Sequence, residues 1–176
     1  MIKKGLNDII SAFLSRNFEV SLIMSDGEGA VGKLKLYLNK LGIEVDISGA
    51  GGHVARIERR IQMIKERARA HMCGRLPLQL TKEGLSTLIL YCVFRINYQY
   101  SGSRPGGMTP REAFTGRTVN ALTDYRVSFG EYVHCTVPST NKTMTPRTEA
   151  CVVMLPTGNL SVGMLSVDTG EIVTRV

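Results

Sequence analysis

Two acidic side chains stand where carboxylates could share a divalent metal. Asp26 follows the apolar run Val20-Ser21-Leu22-Ile23-Met24, at what reads as the mouth of a strand. Glu58 falls in the opening turns of a long regular stretch over 53–72, beside its apolar stripe rather than opposite it. Carboxylates so placed can hold two ions ~3.5–4 Å apart, one activating a nucleophile and one stabilising the leaving oxygen. Magnesium requires such hard oxygen donors and keeps several of its waters. The plainer reading, Asp26 as a turn residue and Glu58 as a surface partner of arginine, stays open beside it.

The stretch that carries Glu58 is strongly basic. Arg56, Arg59, Arg60, Lys65, Arg67 and Arg69 face acids only at Glu58 and Glu66. Cations in that number suit a nucleic-acid backbone, where each neutralised phosphate releases counterions. A solvated helix face with i,i+4 ion pairs is the alternative. The whole chain has a formal net charge of +7, which fits an anionic partner, nucleic acid or a membrane surface.

Between Asp26 and the next strand, Gly27-Glu28-Gly29-Ala30-Val31-Gly32-Lys33 matches two nucleotide-binding patterns at once. As GxGxxG it would cradle a dinucleotide, with Asp46 on the ribose. As GxxxxGK it would wrap phosphates with backbone N–H groups. Leu34 stands where the second pattern needs a hydroxyl for magnesium, and Ser25 and Asp26 separate the first glycine from its strand. The glycines then serve to turn the chain sharply from strand to helix. Cys73, Cys92, Cys135 and Cys151 form no CxxC pair, and the three histidines lack zinc-finger spacing, so the spacing argues against a structural zinc site.

The elements that would position these groups follow from periodicity. Hydrophobic residues make up 43% of the chain and charged residues 21%, which excludes low-complexity disorder as the starting point. Leu6, Ile9, Ile10 and Phe13 predict a helix over 3–16, followed by a buried strand over 20–24. A helix over 30–41, closed by Gly42, leads to a strand at 43–47. Val54, Ile57, Ile61, Ile64, Ala68 and His71 or Met72 predict one apolar stripe on the helix over 53–72. Thr81 caps the next helix, whose expected buried face is Leu85, Leu88, Ile89, Cys92, Val93 and Ile96. Thr109-Pro110 opens a short helix that Gly116 ends. Short β-rich runs at 126–137, 150–155, 160–167 and 171–176 predict a small barrel or sandwich. No apolar run reaches the ~18 residues of a membrane span, and the N-terminus does not read as a signal peptide, so an intracellular setting is expected.

In order along the chain, Ser25-Asp26-Gly27-Glu28-Gly29, Gly42-Ile43, His53-Val54, Ile57-Glu58-Arg59 and Ile64-Lys65-Glu66-Arg67 resemble integrases of copia-type LTR retrotransposons, which are encoded within Gag-Pol polyproteins. Arg95-Ile96-Asn97 and Thr109-Pro110-Arg111-Glu112 resemble segments that follow the family's core. Phe129-Gly130, Pro146-Arg147 and Thr174-Arg175 resemble its small downstream β-barrel. The resemblance spans nearly the whole chain and rests on short motifs in a shared order.

It implies an α/β chain: a partial ribonuclease-H-like integrase core over 1–100 with its first strands missing, a linker with a short helix over 101–122, and a small Src-homology-3-like β-barrel over 123–176. It implies that Asp26 and Glu58 are the second and third members of an Asp, Asp, Glu set that binds Mg2+ or Mn2+ for DNA strand transfer. The first member would precede the helix at 3–16, and the family's zinc-binding His/Cys region is absent from the motifs matched. The implied partners are the element's DNA ends and target DNA, in the nucleus or cytoplasm, with no membrane and with a homo-oligomer possible through the exposed edge of the strand at 20–24. The expected function is therefore nucleic-acid binding by a fragment inactive in strand transfer by itself. An active transferase completed by another chain, a nucleotide-binding domain using Gly27–Lys33, and a basic module that recruits a protein are the competing readings.

Overall fold

Leu6 and Ile10 lie one turn apart, and the chain from Ile2 to Leu14 forms the helix α1, in which Ile10 is buried. The computed structural model describes residues 2–25, 29–47, 55–75, 80–100, 107–138, 144, 146–158 and 161–175. After α1 come β1 (Leu22–Ser25), a 3-10 turn (Gly32–Leu34), α2 (Lys35–Lys40) and β2 (Glu44–Ile47). A long helix, α3 (Ala55–Arg75), follows. The chain divides into two compact units, Met1–Gln62 and Met63–Val176, so the division falls within α3.

The first unit is built on a strand, a helical crossover and a parallel strand. β1 pairs with β2 in register from Leu22↔Glu44 to Ser25↔Ile47. Ile10, Leu38, Ile43 and Val45 form its core, with Val20, Ile23, Val31, Leu34 and Tyr37 packed around them. Gly42 has φ +76°, the left-handed conformation expected of the residue that stops α2. The strand expected at 20–24 lies slightly later, and the helix expected over 30–41 is divided between the 3-10 turn and α2. Ile23 turns toward the core while Leu22 and Met24 are exposed, so β1 is apolar on both faces but covered on one.

The second unit joins the later turns of α3 to α4 (Lys82–Asn97), α5 (Pro110–Thr115), α6 (Ala121–Asp124) and four strands. The strands are β3 (Tyr132–Thr136), β4 (Thr148–Gly158), β5 (Ser161–Ser166) and β6 (Ile172–Arg175). They form one antiparallel sheet in the order β3-β4-β5-β6, each strand pairing with the next in sequence. With the parallel pair in the first unit, the chain is mixed α/β. β4 runs past residue 155, where the expected β-rich run ends, and its pairing with β5 shifts register at Val153/Leu155 and again at Pro156/Gly158. Such irregularities let a strand carry proline, which has no N–H to donate.

Two expected helix faces differ from those observed. The α3 stripe is buried only in part: Ala68 is in the core and Ile64 packs against it, while Ile57 and Ile61 are 46% and 45% exposed. On α4 the buried face is Gly84, Leu88, Tyr91, Cys92 and Arg95, whereas Leu85, Ile89 and Val93 are exposed. Leu88 and Cys92 are buried as expected, and the face is rotated toward Tyr91 and Arg95. Tyr91 and Arg95 go inside because their polar ends meet: Arg95 Nε donates to Tyr91 Oη at 2.9 Å.

Helix α5 shows how little chain can fix a short helix. Thr109 Oγ1 accepts from Glu112 N at 3.0 Å, and Glu112 Oε2 accepts from Thr109 N at 2.8 Å, a reciprocal capping box around Pro110. Glu112 Oε1 also accepts from Val119 N at 2.9 Å, tying the helix to the chain beyond it. The hydrogen bonds from the Thr109 and Val119 backbone hold the Glu112 carboxyl below its ordinary range. A carboxyl depressed in the folded state stabilises above its unfolded pKa, and the contribution fades as pH falls through the folded value. Glu112→Gln is therefore expected to lower the melting temperature at neutral pH, with the gap to wild type closing as pH is lowered toward 3. A gap independent of pH would count against the carboxylate's charge as the cause.

Candidate nucleic-acid face and candidate metal centre

The six cations of the basic stretch all lie on α3. Arg59, Arg60, Lys65 and Arg69 are exposed, and Arg67 is half-buried with its guanidinium donating to Gln99 Oε1. The side chain of Arg56 lies outside the described residues. At about 100° per residue, Arg59, Arg67 and Arg60 share one arc about 100° wide. By the same spacing Lys65 and Arg69 fall on the opposite flank with Glu58 between them. The charge is thus divided into an arginine face and a mixed flank, rather than six cations on one track.

Glu58 is exposed in the first turn of α3, and Asp26 lies outside the described residues. Of the glycine-rich stretch, Gly27 and Glu28 also lie outside them. In the remainder, the backbone N–H groups of Lys33 and Leu34 donate to the carbonyls of Gly29 and Val31, and that of Lys35 to Gly32. Lys33 and Asp46 are both exposed. Among the described residues no helix is long and apolar enough to cross a membrane.

The sheet of the second unit assembles a group that the sequence spacing hides. Cys135 on β3 is the register partner of Glu149 on β4, and Cys151 follows two residues along β4 on the same face. The two sulfurs are 2.8 Å apart, and Cys135 Sγ donates to Glu149 Oε1 at 3.5 Å. Sγ of both cysteines and a carboxylate oxygen of Glu149 lie within 4.8 Å of one another, close enough to hold a metal ion. Among the described residues no other group of three or more His, Cys, Asp or Glu side chains is so placed. Ser166 Oγ donates to Glu149 Oε2 at 3.2 Å, and Arg175 Nη2 lies 3.4 Å from Oε1. Burial, together with hydrogen bonds to Cys151 and Glu149, pushes the Cys135 thiol up to about 12. Both cysteines are buried, beside Val153, Val162 and Met164.

Pairwise motif spacing could not find this group, because its members come from two strands and meet only through register. The alternation Glu149-x-Cys151 was the one signal in the sequence: on a strand it puts both side chains on one face. The second unit also holds a cleft of about 450 Å³, whose lining includes Arg67, His71, Tyr91, Arg95, Gln99 and Tyr125.

No family model and no curated protein matches the chain.

Proposed function

We propose that this chain is a nucleic-acid-binding part of an integrase of the copia LTR-retrotransposon kind. In this reading the first unit belongs to a ribonuclease-H-like core, and β3 to β6 to a small Src-homology-3-like barrel. The arginine face of α3 is the observation that carries the proposal: Arg59 and Arg60 are exposed, and Arg67, whose guanidinium donates to Gln99 Oε1, lines a cleft. The ordered motifs from Asp26 to Arg175 supply the family. Phosphates of element or target DNA would lie against Arg59, Arg60 and Arg67, with Lys65, Arg69 and Arg56 adding to the long-range field.

Mg2+ or Mn2+ would be held by Asp26 and Glu58, hard ligands suited to such ions, whereas the Cys135 and Cys151 thiols suit neither. Asp26 and Glu58 are two of the three acids that the resemblance implies. A nuclear or cytoplasmic location follows from the same reading. In the described residues β1 pairs with β2 alone, and its other edge offers a place for a second copy to add a strand.

The test combines duplex titration with a strand-transfer assay in Mg2+ or Mn2+. Salt-sensitive duplex binding is expected. Transfer activity lost in Asp26→Asn or Glu58→Gln would replace the proposal with an active transferase completed by another chain. Duplex affinity unchanged in Arg59→Ala/Arg60→Ala would remove the arginine face as its basis.

A further inference from the structure

We propose that Cys135, Cys151 and Glu149 form a binding site for a thiophilic divalent ion of the zinc class, separate from the hard-ion site of the integrase reading.

The donor set selects the class of ion. Two thiolates and one carboxylate match zinc, while magnesium and manganese take oxygen donors in octahedral arrays. Zinc bonds of ~2.3 Å to sulfur in a tetrahedron hold the two sulfurs about 3.8 Å apart. The present 2.8 Å separation lies inside van der Waals contact, so small side-chain rotations that part the sulfurs relieve crowding as they admit the ion.

The surroundings of the carboxylate have the form of an outer shell. Ligating carboxylates are themselves hydrogen-bonded in metal sites. Glu149 accepts from Ser166 Oγ on one oxygen and meets Arg175 on the other. At first sight the guanidinium opposes a cation. The charge count reverses that expectation: a divalent ion with two thiolates and one carboxylate carries a net −1, and Arg175 brings the group to neutrality. A neutral sum is what a largely buried site requires.

The fourth position can be filled by water. Cys135 and Arg175 line a cavity of about 250 Å³, together with Arg126, Val127, Val133 and Met164. The binding step balances as the ion plus two thiols and a carboxylate giving the bis-thiolate carboxylate complex and two protons released to solvent. No oxidant or reductant enters it.

The probes are Zn2+ and Co2+, added to the full chain kept reduced and free of oxygen. One equivalent of Zn2+ is expected to bind with release of about two protons, from the thiol-to-thiolate change described above. Co2+ should give a sulfur-to-metal charge-transfer band and the intense visible bands of tetrahedral coordination. Both signals should vanish in Cys135→Ser and in Cys151→Ser, and persist in Cys73→Ser, whose thiol is exposed. Ser166→Ala should weaken the affinity about 10- to 100-fold, the effect typical of an outer-shell partner. Circular dichroism of each variant without metal separates lost ligation from lost folding, and Ser166→Ala keeps all three ligands. Failure to bind either ion, or binding that survives the paired cysteine substitutions, would overturn the site. Loss of two hydrogens on mild oxidation, with no metal uptake by the reduced protein, would overturn it in favour of a redox-active pair.

Discussion

Replacing Arg59, Arg60 and Arg67 together with alanine should flatten the salt dependence of duplex binding by about 2.7 in log–log slope, at ~0.9 for each phosphate contact removed. Between 50 and 200 mM salt the wild-type chain would then lose roughly 40-fold more affinity than the variant. The paired substitution Lys65→Ala/Arg69→Ala is the internal control. It removes two positive charges from α3, but from the flank that Glu58 shares, where a carboxylate repels phosphate. Its slope change should be clearly smaller than two full contacts. Equal slope changes per cation on the two flanks would show that the chain responds to its net charge of +7 rather than to a defined face. The measurement is fluorescence anisotropy of a labelled duplex across a salt series, so that slopes are compared and not single affinities.

The two faces of α3 show what the sequence could and could not reveal. Six cations within one helical period pattern were visible, and so was the helix itself, because the signals are local: hydrophobic spacing and charge. Gly42 with its positive φ, the Thr81 cap and the Thr109-Pro110 helix start were legible for the same reason. Each depends on backbone conformations a few residues apart. The Cys135, Glu149, Cys151 group was not legible, since β3 and β4 are joined by a long connection and their register fixes which side chains meet. Cysteines placed among apolar residues read as small hydrophobes, and burial did not distinguish packing from ligation. The α4 face was misjudged by a different route. Hydrophobic periodicity scores residue type, while Arg95 is buried through hydrogen bonds to groups on other elements.

Arg95→Met should therefore destabilise the second unit more than truncation of any aliphatic residue on the exposed side of α4. The Arg95 side chain is buried, and its Nη1 donates to the Asp124 carbonyl at 2.7 Å. Nη2 donates to the Val127 carbonyl, and the guanidinium carbon lies 5.0 Å and 4.8 Å from the Tyr91 and Tyr125 ring centroids. One side chain thus pins α4 to the segment that delivers Phe129 into the core and then enters β3. Methionine can fill much of the volume but leaves both carbonyls without their donor and removes the cation from between two rings. At ~1–2 kcal/mol for the unmet carbonyls together, and a similar amount for the ring contacts, the loss comes to about 2–4 kcal/mol. That is a large share of the ~5–15 kcal/mol that holds an ordinary domain together. Lysine should recover less than half of it, because an ammonium is a point donor and cannot span three acceptors as a planar guanidinium does. Urea unfolding of the three proteins measures these differences directly. A loss below about 1 kcal/mol in Arg95→Met, on the scale of one ordinary hydrogen bond, would mean that water replaces the guanidinium at both carbonyls. Leu85→Ala, on the exposed side of the same helix, sets the comparison: it removes apolar surface without stranding a polar partner, and its effect should be the smaller of the two.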